Sequence, residues 1–196
     1  MKLETSTMNA STPQYLKNHL LIAMPHMADS TFAQTLIYLV EHGEDGAMGI
    51  IINKPSALNL EDVLEQLRPD EAPPLSSRST AIYNGGPVQV ERGFVLHPSG
   101  PQFQATLELG EVALSTSQDI LFSIADGQGP ARHLIALGYA GWEAGQLELE
   151  LTDNAWLTCE ADLSILFDMP SELRLKAAAA QLGVDLSLLT SQSGHA

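Results

Sequence analysis

Hydrophobic residues recur along this chain with two different periods, and the switches between them mark its elements. Residues 20–24, Leu-Leu-Ile-Ala-Met, form a short apolar run stopped by Pro25, the pattern of a buried strand. Residues 35–40 are rich in β-branched and aromatic side chains and predict a central strand covered on both faces. Glu44-Asp45-Gly46 supplies turn chemistry before another apolar run at 48–52, so residues 35–52 predict a hairpin. These strands are expected in the middle of a sheet. The period then lengthens. Leu60, Val63, Leu64 and Leu67 fall at i, i+3, i+4 and i+7, with Asn59 placed to cap a helix, Asp62 at its third position and Pro69 closing it.

Residues 69–79, with Pro73-Pro74 and three serines, read as an exposed loop. Short strands are predicted near 81–83, 93–97, 105–109 and 112–114, separated by Gly and Pro signals. Ser117 is expected to cap a helix carrying Ile120, Leu121 and Ile124, with Gly127 as its stop. Residues 133–139 and 156–160 read as strands, and 171–182 as a four-alanine helix ended by Gly183. Residues 143–152 carry two patterns at once. Leu147, Leu149 and Leu151 alternate with Glu148 and Glu150 as in a half-exposed strand, yet Leu147 and Leu151 are also i, i+4 among good helix formers. Strands and helices mixed without regular βαβ spacing predict an α+β fold with a mostly antiparallel sheet. Residues 1–14 are polar and aperiodic and read as a leader, 15–190 as a single domain, and 191–196 as a polar tail.

Composition narrows the function more than the fold. The 196 residues carry 9 basic and 24 acidic side chains, a net charge of −15. Phosphate backbones and anionic membranes are repelled by such a field, and the basic residues are dispersed, so no direct nucleic-acid binding is expected. The longest apolar run falls far short of the ~20 residues needed to cross a bilayer. Without a signal-peptide pattern, and with Cys159 as the only cysteine, a cytoplasmic protein without membrane or disulfide is expected.

Few residues carry recognisable chemistry. Asn84-Gly85-Gly86-Pro87 can turn backbone N–H groups into an anion-binding concavity, with Asn84 tolerant of left-handed geometry and Lys54 and Arg92 available as cations. The plainer reading is a tight corner after a strand; the full phosphate-loop spacing is missing. His42 and His97 each end a predicted strand, at a rim position that suits binding, although hydrogen bonding to loop backbone is the stronger reading for both. No His or Cys spacing matches a metal site, so no metal or cofactor is expected. Cys159 sits beside Glu160, which opposes a reactive thiolate. Trp142 and Trp156 read as core anchors, with Tyr139 and Phe167 as neighbours, rather than as a base-stacking platform. If Lys54, the Gly-Gly-Pro corner and Arg92 share one concave rim, His97 is the weaker fourth member, because five residues separate it from Arg92 and place the two on opposite strand faces.

The segments Gly138-Tyr-Ala-Gly-Trp142, Asn154-Ala-Trp156-Leu157, Glu41-His42, Gly46-Ala-Met-Gly49, Asn53-Lys54-Pro55, Gly85-Gly-Pro-Val88 and Leu96-His97 together resemble the YqgE/AlgH family of small bacterial proteins. The resemblance covers most of the chain. It implies a sheet curled toward a partial barrel with helices outside, and a helix rather than a strand after Gly141-Trp142. Many members have a tryptophan in the last helix where this chain has Leu173-Arg174-Leu175. The resemblance also implies a regulator, of transcription and alginate production in the AlgH branch. Two functions stand after this. One is a non-enzymatic regulatory or adaptor protein binding a protein partner or a small anionic ligand. The alternative is an enzyme acting on a phosphorylated or carboxylated metabolite, with His97 or His42 as general base.

Overall fold

The computed structural model describes residues 15–191; the leader expected at 1–14 and residues 192–196 of the polar tail lie outside the described residues. Ten strands are described: β1 (His19–Ala23), β2 (Leu36–Gly43), β3 (Gly46–Ile51), β4 (Pro55–Asn59), β5 (Ala81–Asn84), β6 (Val88–Pro98), β7 (Thr106–Glu108), β8 (Val112–Ser115), β9 (Leu134–Glu143) and β10 (Trp156–Glu160). The helices are α1 (Leu60–Leu67), α2 (Asp119–Ala125), α3 (Gln146–Thr152), α4 (Ser171–Gln181) and α5 (Leu186–Ser191). The strands form one sheet in the order β10-β1-β2-β3-β9-β6-β8-β7, with β4 joined through β5. Every pairing is antiparallel except β5 with β9. The fold is α+β, its sheet curled into a half-barrel with helices around it.

Strand alternation sorts the apolar residues into three layers. Leu20, Tyr38, Val40, Ile50, Phe94, Leu96, Leu114 and Ala136 point into the curl and meet one another there, closed by Ile165, Leu166 and the alanines Ala178 and Ala179 of α4. On the outer face, α3 covers β1, β2, β3, β9 and β10 through Leu147, while α1 and α2 cover β5, β6 and β9. The capping box of α1 is present, with Asn59 Oδ1 accepting from Asp62 N–H and Asp62 accepting from Asn59 N–H. Helix α4 ends as expected: Gly183 has φ +69°, and the N–H groups of Gly183 and Val184 donate to Ala180 and Ala179.

Several local expectations are corrected. Ser117 does not cap α2; its hydroxyl accepts from Ala105 N–H and faces Asp119. The loop at 69–79 contains a short 3-10 turn, Leu75–Ser79, and residues 55–59 pair as β4 although no strand was expected there. Segment 146–152 is helix, as the resemblance implied: Leu147 and Leu151, at i and i+4, pack on the sheet while Leu149 is exposed, so the alternation of leucine and glutamate marks no buried face. Trp142 and Trp156 are core residues, but their aromatic neighbour is Phe32, with ring centroids 6.4 and 6.0 Å away. Tyr139 and Phe167 belong to the layer inside the curl, because Tyr139 and Trp142 stand on opposite faces of β9. Both indole N–H groups donate to the same oxygen, Glu150 Oε2, at 2.9 and 2.8 Å. The Gly-Trp segment thereby fastens α3 to β9 and β10.

Candidate functional site

Lys54 and the glycine corner do come together, but through their main chains. Asn84 N–H donates to Lys54 C=O, Ile51 N–H to Gly85 C=O and Gly85 N–H to Leu137 C=O, each at 2.8 Å. The glycines are required by what they cross. A Cβ on Gly85 would sit 2.3 Å from Gly138 O, and one on Gly86, whose φ is +152°, would sit 2.1 Å from the Tyr139 carbonyl carbon. The Gly85 amide is thus spent on β9 rather than offered to a ligand. Asn84 does not take the left-handed geometry that sequence allowed it; the turn uses Gly86 and then Gln89, at φ +48°.

Neither histidine is an open base. His42 is buried. Its Nδ1 accepts from Leu16 N–H, so the proton resides on Nε2, which donates to Glu148 Oε1 at 2.9 Å. His97 has no exposed surface, and its two nitrogens meet Pro98 C=O and Ser115 Oγ at 2.9 Å each. A carbonyl only accepts, so Nδ1 carries the proton and Ser115 donates to Nε2, leaving Thr106 to donate to Ser115 at 2.8 Å. Burial is the main force lowering the His97 pKa below 6.5, partly offset by the Pro98 carbonyl and the Glu108 charge. The unfolded chain therefore binds more protons than the folded one below pH ~6.5, and stability falls with pH there. We expect the melting temperature to drop between pH 7.5 and 5.5, with a shallower drop in His97→Gln; equal slopes would contradict it. Cys159 is inert, its thiol pushed up to about 11 by burial and then by Asp162.

Arg174 was not a sequence candidate. Placed on a helix, it reads as a surface charge, but only 5% of it is exposed. It donates from Nε to Met169 C=O at 3.0 Å and from Nη1 to Ile52 C=O, with its guanidinium carbon 5.0 Å from the Tyr83 ring centroid. It ties α4 to the end of β3, beside the Lys54 corner.

Arg92 is the predicted residue that does line open space. Strand β6 pairs Val88 with Tyr139 and Gly93 with Leu137, so five steps along β6 match two along β9 and residues 89–92 bulge outward. Pairing of β6 with β8 starts only at Val95 and Ser115. A notch is left between the bulge and residues 116–117. On the inner face it opens into a cavity of about 390 Å³ at the mouth of the curl, lined by Val40, Met48, Phe94, Leu107, Tyr139 and Glu41 among others. On the outer face lies a second cavity of about 260 Å³, between α1, α2 and the sheet. Arg92 and Thr116 line both; neither Lys54, Gly86, His42 nor His97 lines either. Arg68, Arg78 and Arg132 pair with Glu71, Glu61 and Asp168. The hydrogen-bond partner of Arg92 is instead a neutral amide, Gln89 Oε1 at 3.2 Å. Its guanidinium also lies 5.3 Å from the Phe94 ring centroid. A bulge of this kind has no strong local sequence signal, because it depends on pairing with β9 some 50 residues away.

Among the described residues no helix is long and apolar enough to cross a membrane, and no group of three or more His, Cys, Asp or Glu is arranged to hold a metal.

Comparison with known proteins adds the family. The model of a family described as AlgH-like matches residues 20–187. The chain is 70% identical over 189 residues to the UPF0301 protein AlgH of Pseudomonas aeruginosa, covering 96% of this chain and 100% of that one. It is 68% identical over 185 residues to a UPF0301 protein of Pseudomonas fluorescens, covering 94% and 98%. The solution structure of the Pseudomonas aeruginosa AlgH protein superposes with a TM-score of 0.80 over 96% of this chain and 100% of that one. A crystal structure from Corynebacterium diphtheriae, 20% identical, shares the fold at a TM-score of 0.68 over 88% and 90%.

Proposed function

The chain belongs to the AlgH-like family, and on that premise we propose that it is a cytoplasmic, non-enzymatic regulatory or adaptor protein whose partner contacts are set by a small anionic ligand held at Arg92. The observation that carries this is the Arg92 notch: a guanidinium that has no carboxylate partner among the described residues, at a gap in the sheet between two cavities. In a chain of −15 net charge, free guanidinium is scarce, and a concave, mostly apolar site with a few convergent polar groups is the ordinary form of a small-molecule pocket. The commitment of both nitrogens in His42 and His97 to internal partners supports binding over catalysis. Any transcriptional output, alginate production included, is reached in this reading through protein contacts, since the net charge opposes DNA.

A thermal-shift screen of carboxylates, sulfonates and phosphates tests this. A ligand at one hundred times its dissociation constant stabilises by ~2.7 kcal/mol. We expect hits among anions that carry an apolar body, left chemically intact after incubation and lost in Arg92→Gln. Turnover of a hit, or hits indifferent to Arg92, would reject it.

A further inference from the structure

The cavity behind Arg92 takes its polar lining from the β6–β8 gap and its apolar lining mainly from α1, α2, β5 and β9, and that division specifies a ligand. At the notch stand Arg92, Glu91, Thr116 and Ser117; the remainder is walled by side chains such as Val63, Leu67, Ile82, Leu121, Ile135 and Leu137. The apolar wall comes directly from the stripe on α1. Leu60 and Leu64 are buried against the sheet, while Val63 and Leu67, the other two members of the same stripe, are only half-covered and face the open space. In a helix that packs fully, all four would be buried.

Resting on the reading of Arg92 as an anion site, we infer that the outer-face cavity binds a monocarboxylate with an unbranched apolar chain, the carboxylate on Arg92 and the chain running beneath α1. The head carries one charge rather than two. Glu91 shares the notch, and the whole chain stands at −15, so a phosphate dianion meets repulsion that a carboxylate meets half as strongly. Guanidinium and carboxylate also match as a two-point fork, with the Thr116 and Ser117 hydroxyls beside them. The volume sets the chain length. At ~30 Å³ for a group the size of a water molecule, about 260 Å³ holds roughly eight such groups. A chain of about eight carbons, its carboxylate included, therefore fills it.

The test is a calorimetric titration of the full chain with hexanoate, octanoate, decanoate and dodecanoate, and with 1-octanol. Affinity is expected to rise roughly fourfold per methylene, the fold-change of burying one CH₂ group, and to level off near eight carbons. Arg92→Gln should weaken octanoate about tenfold or more and leave octanol unchanged. Leu67→Trp should block the acids by filling the chain channel, with Leu67→Glu as a second variant if the tryptophan disturbs folding. Leu107→Trp, which occupies the inner-face cavity instead, should bind normally. Blockage by Leu107→Trp and not at Leu67 would overturn this assignment while leaving Arg92 as the anion site. No binding of any fatty acid, with other anions still held at Arg92, would also overturn the chain channel alone. Loss of every anion at Arg92 would remove both.

Discussion

Gly86→Ala is expected to cost roughly 4 kcal/mol or more, the sum of an overpacking term and a backbone-strain term. An added Cβ would stand 2.1, 2.2 and 2.4 Å from Tyr139 C, Tyr139 O and Ala140 N. All three are backbone atoms of β9, which is paired with β3, β5 and β6 and has no direction in which to yield. The φ of +152° adds strain for any L side chain. Against a total stability of ~5–15 kcal/mol that loss is a large fraction. Gly93→Ala, in the adjoining strand, is the control: its Cβ meets nothing within 4 Å, and a change within about 0.5 kcal/mol is expected. Denaturant midpoints of the two variants check the contrast, and similar midpoints would refute the close crossing of β9.

Glu150→Ala should be the second severe variant, at about 3–5 kcal/mol, because it strands two buried indole N–H groups at ~1–3 kcal/mol each. Trp142 and Trp156 are buried, and both donate to Glu150 Oε2 while Gln146 Nε2 donates to Oε1. Glu150→Gln keeps an acceptor in the same place and should recover more than half of the loss. Urea unfolding followed by tryptophan fluorescence measures both; an alanine variant within about 1 kcal/mol of the parent would show that the shared acceptor contributes little.

Sequence exposed the fold wherever one segment carries its own cause. The α1 stripe, its Asn59–Asp62 cap, the Gly183 stop of α4 and the 36–51 hairpin all depend on residues a few positions apart. It misled wherever the cause lies across the sheet. Gly85-Gly86 looks locally like an anion cradle, yet the glycines are there because the chain crosses β9 some 50 residues away. Ser117 has the chemistry of a cap, but Ala105 N–H takes its hydroxyl. Arg174 follows a leucine on an exposed-looking helix, and only the arrival of the Ile52 carbonyl makes it a buried tie. Of the predicted site residues, Lys54, Asn84 and Gly85 adjoin one another in the backbone, and Arg92 reaches the cavities; the two histidines are occupied inside the fold.

The placement of the ligand at Arg92 is tested most directly by amide chemical shifts of the labelled protein during titration with octanoate or the tightest anion from the screen. The largest perturbations are expected at residues 89–93 and 116–117, absent in Arg92→Gln under the same conditions. Perturbations centred on residues 53–55 and 84–86, or an Arg92→Gln variant that binds as tightly as the parent, would contradict it.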